Sequence, residues 1–254
     1  MKIAICGKGG VGKSTICAFV IKALEKRGHK VLAIDADPSP HLARLLAFSE
    51  ADKITPIAEM KDLLMERSQR QGAFYSLNPK VEDLPEKFML TKGNIKLMVL
   101  GAIQQGGAGC ACAENTVLRT LLNILLLSPE EDIVVDTEAG VEHLGRGTIV
   151  SVDHLLVVVQ PYRGSLETAK KIKNLAQDLR LRHLYFVANN IRDKEDLVFI
   201  QEGLSTKVIG TFPWSRQVMV AERQESSICE SSPEMLIAAE RLVTRLENED
   251  GQRL

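Results

Sequence analysis

The glycine-rich loop Gly7–Thr15 constrains this chain more than any other feature. Its sequence is GKGGVGKST, and it directly follows the apolar run Lys2–Cys6. The loop fits the pattern GxxxxGK(S/T) in the strand–loop–helix context that this phosphate-binding motif requires. Glycines let consecutive backbone N–H groups turn towards a phosphate, and the N-terminus of the following helix adds a partial positive charge. A glycine turn that only joined a strand to a helix would not need Lys13 followed by Ser14, so the loop predicts a nucleotide site.

The side chains of the loop have separate expected roles. Lys13 is expected to reach the β- and γ-phosphates of ATP, and the Ser14 hydroxyl is expected to ligate Mg²⁺. The predicted nucleotide-binding residues of the loop are Gly9, Gly10, Val11, Gly12, Lys13, Ser14 and Thr15.

Short apolar runs recur along the chain, and none alternates polar with apolar residues cleanly, which is typical of strands buried on both faces. The predicted strands are Lys2–Cys6, Lys30–Ile34, Ile95–Leu100, Asp132–Val135, His154–Val159, His183–Ala188 and Lys207–Ile209. Amphipathic helical patterns are found at Ser14–Lys26, Asn115–Leu127, Leu166–Leu179 and Pro233–Leu246. Because strand and helix alternate, we predict an α/β fold of the P-loop NTPase kind, a mostly parallel, doubly wound sheet flanked by helices.

One segment interrupts this alternation. Residues 51–90 are rich in charged side chains and contain Pro79 and Pro85, so we predict a helical and irregular insertion there. The chain has 254 residues and neither an internal repeat nor a low-complexity linker. We therefore expect a single P-loop ATPase domain over residues 1–254.

Charge and hydropathy argue against several classes of partner. Lys and Arg number 32 and Asp and Glu 33, a net charge of −1, so no global positive field attracts nucleic acid. Apolar stretches such as Asp153–Gln160 are too short to cross a bilayer, and the first residues enter a strand without signal-peptide architecture. Five cysteines, of which only two lie close together, do not resemble a disulfide framework. We expect a cytoplasmic protein with reduced thiols that binds neither nucleic acid nor membrane.

Acidic residues follow two of the predicted strands. Asp35–Pro38, with sequence DADP, follows the second strand, and Asp136–Gly140, with sequence DTEAG, follows the fourth. Ligands of open α/β sheets bind beyond the carboxyl ends of the strands, so these acids should lie beside the glycine-rich loop. An aspartate after a strand is often only a helix cap, but ATP hydrolysis needs acids here to hold the metal and orient water. Gly140 could pivot as the γ-phosphate comes and goes.

Lys8, the second residue of the loop, is not required by the general motif. The segment Lys8–Ser14 resembles the deviant Walker A loop of the MinD, ParA, ArsA and nitrogenase iron protein family, and the resemblance covers nearly the whole chain. It implies ATP-bound sandwich dimers in which Lys8 crosses the interface to the partner's nucleotide phosphates. It also implies that Asp37 positions the attacking water and that Asp136 is the Walker B acid near Mg²⁺. With Lys13 these residues form the expected catalytic set, and Asp35 is expected to be structural.

The same resemblance implies an adenine site. Asn189 and Asn190, after the sixth predicted strand, match the position where family members hydrogen-bond adenine. Pro213, in the segment Gly210–Trp214, resembles a final loop that packs beside the base. One position departs from the pattern, because the nitrogenase iron protein has a further aspartate where this chain has His41. The resemblance therefore implies slow hydrolysis, or hydrolysis completed by a partner.

Two cysteines form the most informative feature outside the loop. Cys110 and Cys112 lie among small residues in the segment Gly106–Ala113, before a helix expected to start near Glu114 or Asn115. Two thiols one residue apart can chelate a soft ion, and a helix N-terminus lowers a thiol pKa towards the thiolate that metals require. Structural zinc and related sites usually take four ligands, and a twofold axis between two subunits would supply the missing two. The alternative is that both cysteines are small buried residues in a glycine-rich turn.

A Cys-x-Cys pair at this point of a deviant Walker A ATPase resembles the CooC-type accessory ATPases that mature nickel-containing carbon monoxide dehydrogenase. The resemblance implies a homodimer that binds ATP or ADP with Mg²⁺. It also implies one Ni²⁺ or Zn²⁺ ion per dimer, held by Cys110 and Cys112 of both subunits. The ATP cycle would then serve nickel insertion into the active-site cluster of the apo-dehydrogenase.

Two other functions remain open on the sequence. A spatial-organising ATPase of the MinD/ParA type uses the same loop but carries a basic amphipathic helix for membranes or basic patches for DNA. Here the apolar face of Glu234–Leu246 is followed by the acidic segment Glu247–Asp250, which anionic lipid would repel. An electron-transfer ATPase of the nitrogenase iron protein type would hold an Fe–S cluster between subunits with four thiolates. That protein takes its cysteines from two separated segments, whereas Cys110 and Cys112 lie within three residues.

Overall fold

A single parallel sheet organises the part of the chain that the computed structural model describes. The described residues are 1–69, 75–101, 111–127, 131–137, 152–179, 181, 183–224 and 226–251. Within them the strands are β1 (Lys2–Gly7), β2 (Val31–Ala36), β3 (Leu90–Lys92), β4 (Ile95–Val99), β5 (Asp132–Thr137), β6 (His154–Val159), β7 (Leu184–Ile191) and β8 (Gly210–Pro213).

The strand order is β3-β4-β2-β5-β1-β6-β7-β8. Neighbouring strands are parallel from β4 to β8, and the described antiparallel pair is β3 with β4. Because β1 lies near the centre, the chain moves outwards in one direction through β2 and β4 and in the other through β6, β7 and β8. This order confirms the predicted mostly parallel, doubly wound sheet.

Helices cover both faces of the sheet. The described helices are α1 (Lys13–Lys26), α2 (Leu42–Leu45), α3 (Lys61–Ser68), α4 (Leu84–Phe88), α5 (Ala111–Leu126), α6 (Arg163–Asp178), α7 (Lys194–Leu204), α8 (Arg216–Arg223), α9 (Ile228–Ser231) and α10 (Pro233–Gly251). Two short 3₁₀ turns, Ala51–Lys53 and Ile57–Glu59, precede α3.

Two hydrophobic layers sandwich the sheet. In β1, Ile3 and Ile5 join the layer that contains α1 and α10, whereas Ala4 and Cys6 join the layer that contains α5 and α6. Successive side chains of a strand point to opposite faces, so a strand buried on both sides must be apolar throughout. This requirement explains why the apolar runs of the sequence do not alternate with polar residues.

The C-terminal helix α10 packs on α1 and β8 rather than standing free. Its apolar residues Met235, Leu242 and Leu246 are buried in the same layer as Phe19 of α1, so this helix lies against the sheet. Its acidic end is also attached, since Glu247 pairs with Arg27 at 2.6 Å. No helix in the described ranges has an apolar stretch long enough to cross a membrane.

The last predicted strand was placed wrongly. The segment Lys207–Ile209 precedes the strand, and Gly210–Pro213 is itself β8 and not a loop. Glycine and proline are usually strand breakers, but β8 is an edge strand, where a missing N–H is tolerated. Gly210 is also sterically constrained, because a Cβ there would lie 3.1 Å from Leu242 Cδ1 of α10.

Several smaller elements escaped sequence reasoning. The predicted strand Ile95–Leu100 is found as β4, but β3 was missed. The two strands form a hairpin around Gly93 and Asn94, a two-residue turn signal that the charged surroundings concealed. The short helices α2, α4 and α9 have too few residues to show periodicity, and α7 and α8 were also missed. Helix α5 begins at Ala111 rather than near Glu114 or Asn115, so the backbone of Cys112 lies in its first turn.

Phe19 tests how strongly α1 and the sheet depend on their shared core. The side chain is fully buried between α1 and α10, so we expect Phe19→Ala to lower the free energy of unfolding by about 3–5 kcal/mol. Phe199 on α7 is 39% exposed and provides a matched control, for which we expect a change within about 0.5 kcal/mol. Urea denaturation of both variants measures the difference, and equal losses would contradict the proposed core.

Candidate functional site

The carboxyl ends of the three central strands meet at one edge of the sheet. Asp136 in β5 is in register with Ile5 of β1 on one side and with Asp35 of β2 on the other. The Thr137 hydroxyl donates to the Ile5 carbonyl over 3.0 Å and ties the ends of β1 and β5 together. The glycine-rich loop leaves β1 at this edge, so the predicted acids lie beside it as expected for an open α/β sheet.

The loop itself is held by a contact from β7. Gly12 is the N-cap of α1 and has a left-handed conformation with φ of 86°. A Cβ at this position would come within 2.5 Å of Asn189 Nδ2. That amide donates to the Val11 carbonyl over 2.8 Å. Glycine is therefore required at position 12 both by its φ and by the closeness of Asn189.

Lys13 and Asp37 form an ion pair over the centre of the site. Lys13 Nζ lies 3.7 Å from Asp37 Oδ2, with 7% and 19% of the side chains exposed. Asp37 follows β2 and is held by the neighbouring Asp35, whose Oδ1 accepts from the Asp37 backbone N–H over 3.2 Å. Asp35 Oδ2 accepts from the Leu42 N–H at the start of α2 over 2.9 Å. The Asp35 carboxylate thus positions the turn that carries Asp37.

Asp136 is the most perturbed acid of the site. Its side chain is fully buried, and within the described part of the chain neither carboxylate oxygen makes a hydrogen bond of normal geometry. Burial, reinforced by repulsion from Asp35, raises the pKa of Asp136 from its ordinary value of 3.8 to about 7, while Ser14 and Lys13 oppose the rise. A buried carboxylate next to a hydroxyl has the ligand chemistry that Mg²⁺ prefers. The residues present therefore fit a Mg²⁺ ion held by Ser14 and Asp136, which would neutralise phosphate charge when bound.

Lys8 points away from this centre. Its Nζ lies 5.3 Å from the centroid of the Tyr162 ring, a cation–π contact at the start of α6. Among the described residues Lys8 forms no ion pair within 4.0 Å. Sequence reasoning missed Tyr162 because an exposed tyrosine before a helix carries no motif.

The remaining predicted residues fall into two groups. Asn189 is buried beside the glycine-rich loop, Asn190 follows it with φ of 64°, and Pro213 pairs with Ile191 at the end of β8. These positions cluster at one side of the loop, and their contact with adenine stays a prediction. Gly140 and Cys110 lie outside the described residues.

A family model of the CobQ/CobB/MinD/ParA nucleotide-binding domain matches residues 2–228 of the chain. The chain belongs to this family.

Individual members of the MinD/ParA-type family are similar to this chain over most of its length. The carbon monoxide dehydrogenase accessory protein CooC of Rhodospirillum rubrum is 39% identical over 239 residues, which cover 92% of this chain and 91% of that protein. An uncharacterized ATP-binding protein of Methanocaldococcus jannaschii is 43% identical over 229 residues, covering 87% and 88%. The ParA family ATPase of Chlorobium tepidum shares the fold with a TM-score of 0.71 at 18% identity, covering 96% of this chain and 98% of that one. The chain is therefore a CooC-like ATPase of the MinD/ParA type.

The raised pKa of Asp136 predicts that Asp136→Asn increases the stability of the fold but weakens the binding of Mg²⁺-ATP. Because its folded-state pKa lies above the unfolded value, ionised Asp136 costs stability, a cost that is absent below pH 4 and complete above pH 7. We expect Asp136→Asn to stabilise the nucleotide-free protein at pH 8 by roughly 2–4 kcal/mol, with the gain shrinking towards pH 4. The same variant should lose Mg²⁺-dependent ATP affinity by at least about tenfold.

Asp132 on the same strand is the matched control for this substitution. Its carboxylate accepts a hydrogen bond from the N-terminal ammonium over 2.6 Å and contacts His29. Asp132→Asn should therefore destabilise the protein at pH 8 and leave Mg²⁺-ATP affinity unchanged. Urea unfolding at pH 5 and pH 8 together with isothermal titration distinguishes the two variants, and a loss of stability in both would contradict the account of Asp136.

Proposed function

We propose that the protein is an ATP-hydrolysing metallochaperone that binds nickel or zinc between two subunits and assists nickel insertion into the active-site cluster of carbon monoxide dehydrogenase. The observation that carries the proposal is the Cys110–Cys112 pair in a chain 39% identical to CooC over almost its whole length. That relative is named as an accessory protein of carbon monoxide dehydrogenase. The metal ion is the cargo of the cycle, and ATP with Mg²⁺ supplies the energy.

The chemistry of the other cysteines supports the assignment of the metal to this pair. Cys6, Cys17 and Cys229 are buried. Burial raises the pKa of the Cys17 thiol well above its ordinary value and that of Cys229 to about 12. A metal requires thiolates, so Cys17 and Cys229 are poor ligands at neutral pH. The described residues otherwise contain no group of three or more His, Cys, Asp or Glu side chains arranged for a metal.

The position of the pair along the chain supports a shared site. The backbone of Cys112 lies in the first turn of α5. Thiols at helix N-termini in general have a lowered pKa. Helix α5 follows β4, whose carboxyl end lies beside that of β2 and therefore beside Asp37. Two cysteines per chain give four thiolates only in a homodimer, the number that tetrahedral Zn²⁺ requires. The dimer is therefore part of the metal site.

The ion pair between Lys13 and Asp37 suggests how nucleotide could be sensed. Lys13 Nζ lies 3.7 Å from Asp37 Oδ2. We propose that ATP phosphates compete for Lys13 and release Asp37, which then orients the attacking water. The contacts of the turn Asp37–Pro38 would depend on whether a γ-phosphate is present. A change in these contacts would alter the distance between the cysteine pairs of the two subunits. Partner residues from the second subunit, Lys8 first among them, would complete the site.

The two lysines of the loop should differ in their kinetic effects. Lys13→Ala is expected to abolish ATP binding, because it removes the buried cation that the phosphates need. Lys8→Ala is expected to retain ATP binding and to lower kcat by about a hundredfold or more. The reason is that Lys8 would contact the phosphates of the nucleotide bound to the other subunit and neutralise charge that develops during hydrolysis. Lys170→Ala, on the exposed face of α6, is the control and should match the wild type. Equal losses of binding in both loop variants would contradict separate roles.

Metal content tests the shared site. We expect about half an ion of zinc or nickel per chain, found in the dimeric fraction of a gel-filtration run. The variant Cys110→Ala, Cys112→Ala should lose this metal, since it removes all four thiolates of the dimer. Metal analysis of each fraction provides the measurement.

The control for the metal experiment removes two cysteines that are buried. Cys17→Ala, Cys229→Ala should keep the full metal content, because neither thiol is a ligand in the proposed site. Loss of metal from this control, or one ion per chain on a monomer of the wild type, would refute the shared site. Anaerobic purification also separates the Fe–S alternative, which would give a brown protein.

A further inference from the structure

Lys8 is held in the isolated subunit by an aromatic ring rather than by a carboxylate. Its Nζ lies 5.3 Å from the Tyr162 ring centroid, and the described ion pairs do not include it. Tyr162 is the N-cap residue of α6, with extended backbone, and its side chain is 38% exposed. The contact therefore lies at the surface, on the edge of the site.

A second observation indicates that this place is shaped for the ammonium group. Gly164, in the first turn of α6, packs against the end of the Lys8 side chain. A Cβ at position 164 would lie 2.5 Å from Lys8 Nζ and 3.8 Å from Lys8 Cε. The missing side chain at position 164 leaves room for the end of the lysine. The Tyr162 ring and Gly164 together form a contact site for the Lys8 ammonium group.

The chemistry of this contact site matters because Lys8 must be able to leave the Tyr162 ring. A carboxylate close to Lys8 would compete strongly with nucleotide phosphate for the ammonium group. A tyrosine ring attracts a cation weakly at an exposed position. The lysine can therefore be oriented without being neutralised, and it remains available for a stronger anion.

We propose that Tyr162 and Gly164 form a site that holds the Lys8 side chain within its own subunit. This intrasubunit Lys8 site opposes the ATP-driven association of two subunits. This inference rests on the proposed function, in which Lys8 reaches the nucleotide of the second copy. Each subunit must release Lys8 from its own Tyr162 before the lysine can cross. Tyr162 is thus a positioning residue that sets the nucleotide-bound dimer's stability, and it touches no substrate.

The size of the effect follows from the number of contacts. Two cation–π contacts are given up for each dimer formed, so their removal should tighten dimerisation by roughly five- to thirtyfold. Tyr162→Leu removes the ring and keeps an apolar side chain. Gly164→Ala keeps the ring but displaces the ammonium group, and it should tighten dimerisation in the same direction while preserving α6. Tyr162→Phe retains the aromatic face and should restore the wild-type value.

Analytical ultracentrifugation with a non-hydrolysable ATP analogue and Mg²⁺ measures the dimer dissociation constant of each variant. The decisive comparison repeats Tyr162→Leu and Gly164→Ala in a Lys8→Ala background, in which residue 8 has no ammonium group to contact Tyr162. We expect both effects to vanish in that background. Thermal unfolding by circular dichroism verifies that each variant is folded.

The outcomes separate this inference from the proposed function. If Lys8→Ala weakens analogue-dependent dimerisation but Tyr162→Leu and Gly164→Ala leave the wild-type constant unchanged, the intrasubunit Lys8 site is refuted and the role of Lys8 stands. Tightening of equal size with and without Lys8 would also refute it, since Tyr162 would then act through another contact. If Lys8→Ala dimerises like the wild type, the role of Lys8 fails and the inference fails with it.

Discussion

The buried carboxylate of Asp136 is the constraint on which the rest of the site depends. It lies on the central strand pair of the sheet, out of solvent, without a hydrogen-bond donor of normal geometry among the described residues. Folding can tolerate such a group only by protonating it or by providing a cation. The Ser14 hydroxyl and the Lys13 ammonium group act on it from the glycine-rich loop, and Mg²⁺ with nucleotide would complete its coordination. The sheet thus holds a site whose electrostatic balance is reached only with ligand bound.

Two lysines of the glycine-rich loop contact side chains of their own subunit. Lys13 pairs with Asp37 over 3.7 Å, and Lys8 rests on the ring of Tyr162. Both partners are weaker for a lysine than the phosphates of ATP would be. Binding of nucleotide can therefore exchange one set of contacts for another with little change in the scaffold. This exchange is the physical basis on which an ATPase of this family can couple phosphate chemistry to the association of subunits.

Sequence reasoning reached the parts of this site that depend on local pattern. The loop Gly7–Thr15 and the acids at the carboxyl ends of β2 and β5 are recognisable because each comes at the end of an apolar run, and parallel strands bring their ends to one edge. The contact of Asn189 with Val11 depends on β7 lying two strands away from β1, and the sequence does not specify that placement. The strand β8 was missed because Gly210 and Pro213 are acceptable only at an edge, which is a property of the sheet. The ring of Tyr162 next to Lys8 depends on side-chain geometry across 154 positions and has no sequence signature.

The central claim is that four thiolates from two subunits hold one metal ion, and X-ray absorption spectroscopy of the zinc-loaded dimer tests it most directly. The account predicts a first shell of four sulfur atoms at about 2.3 Å, with this shell lost when Cys110 and Cys112 are replaced by alanine. A first shell of nitrogen and oxygen, or of only two sulfur atoms, would contradict a site shared between subunits.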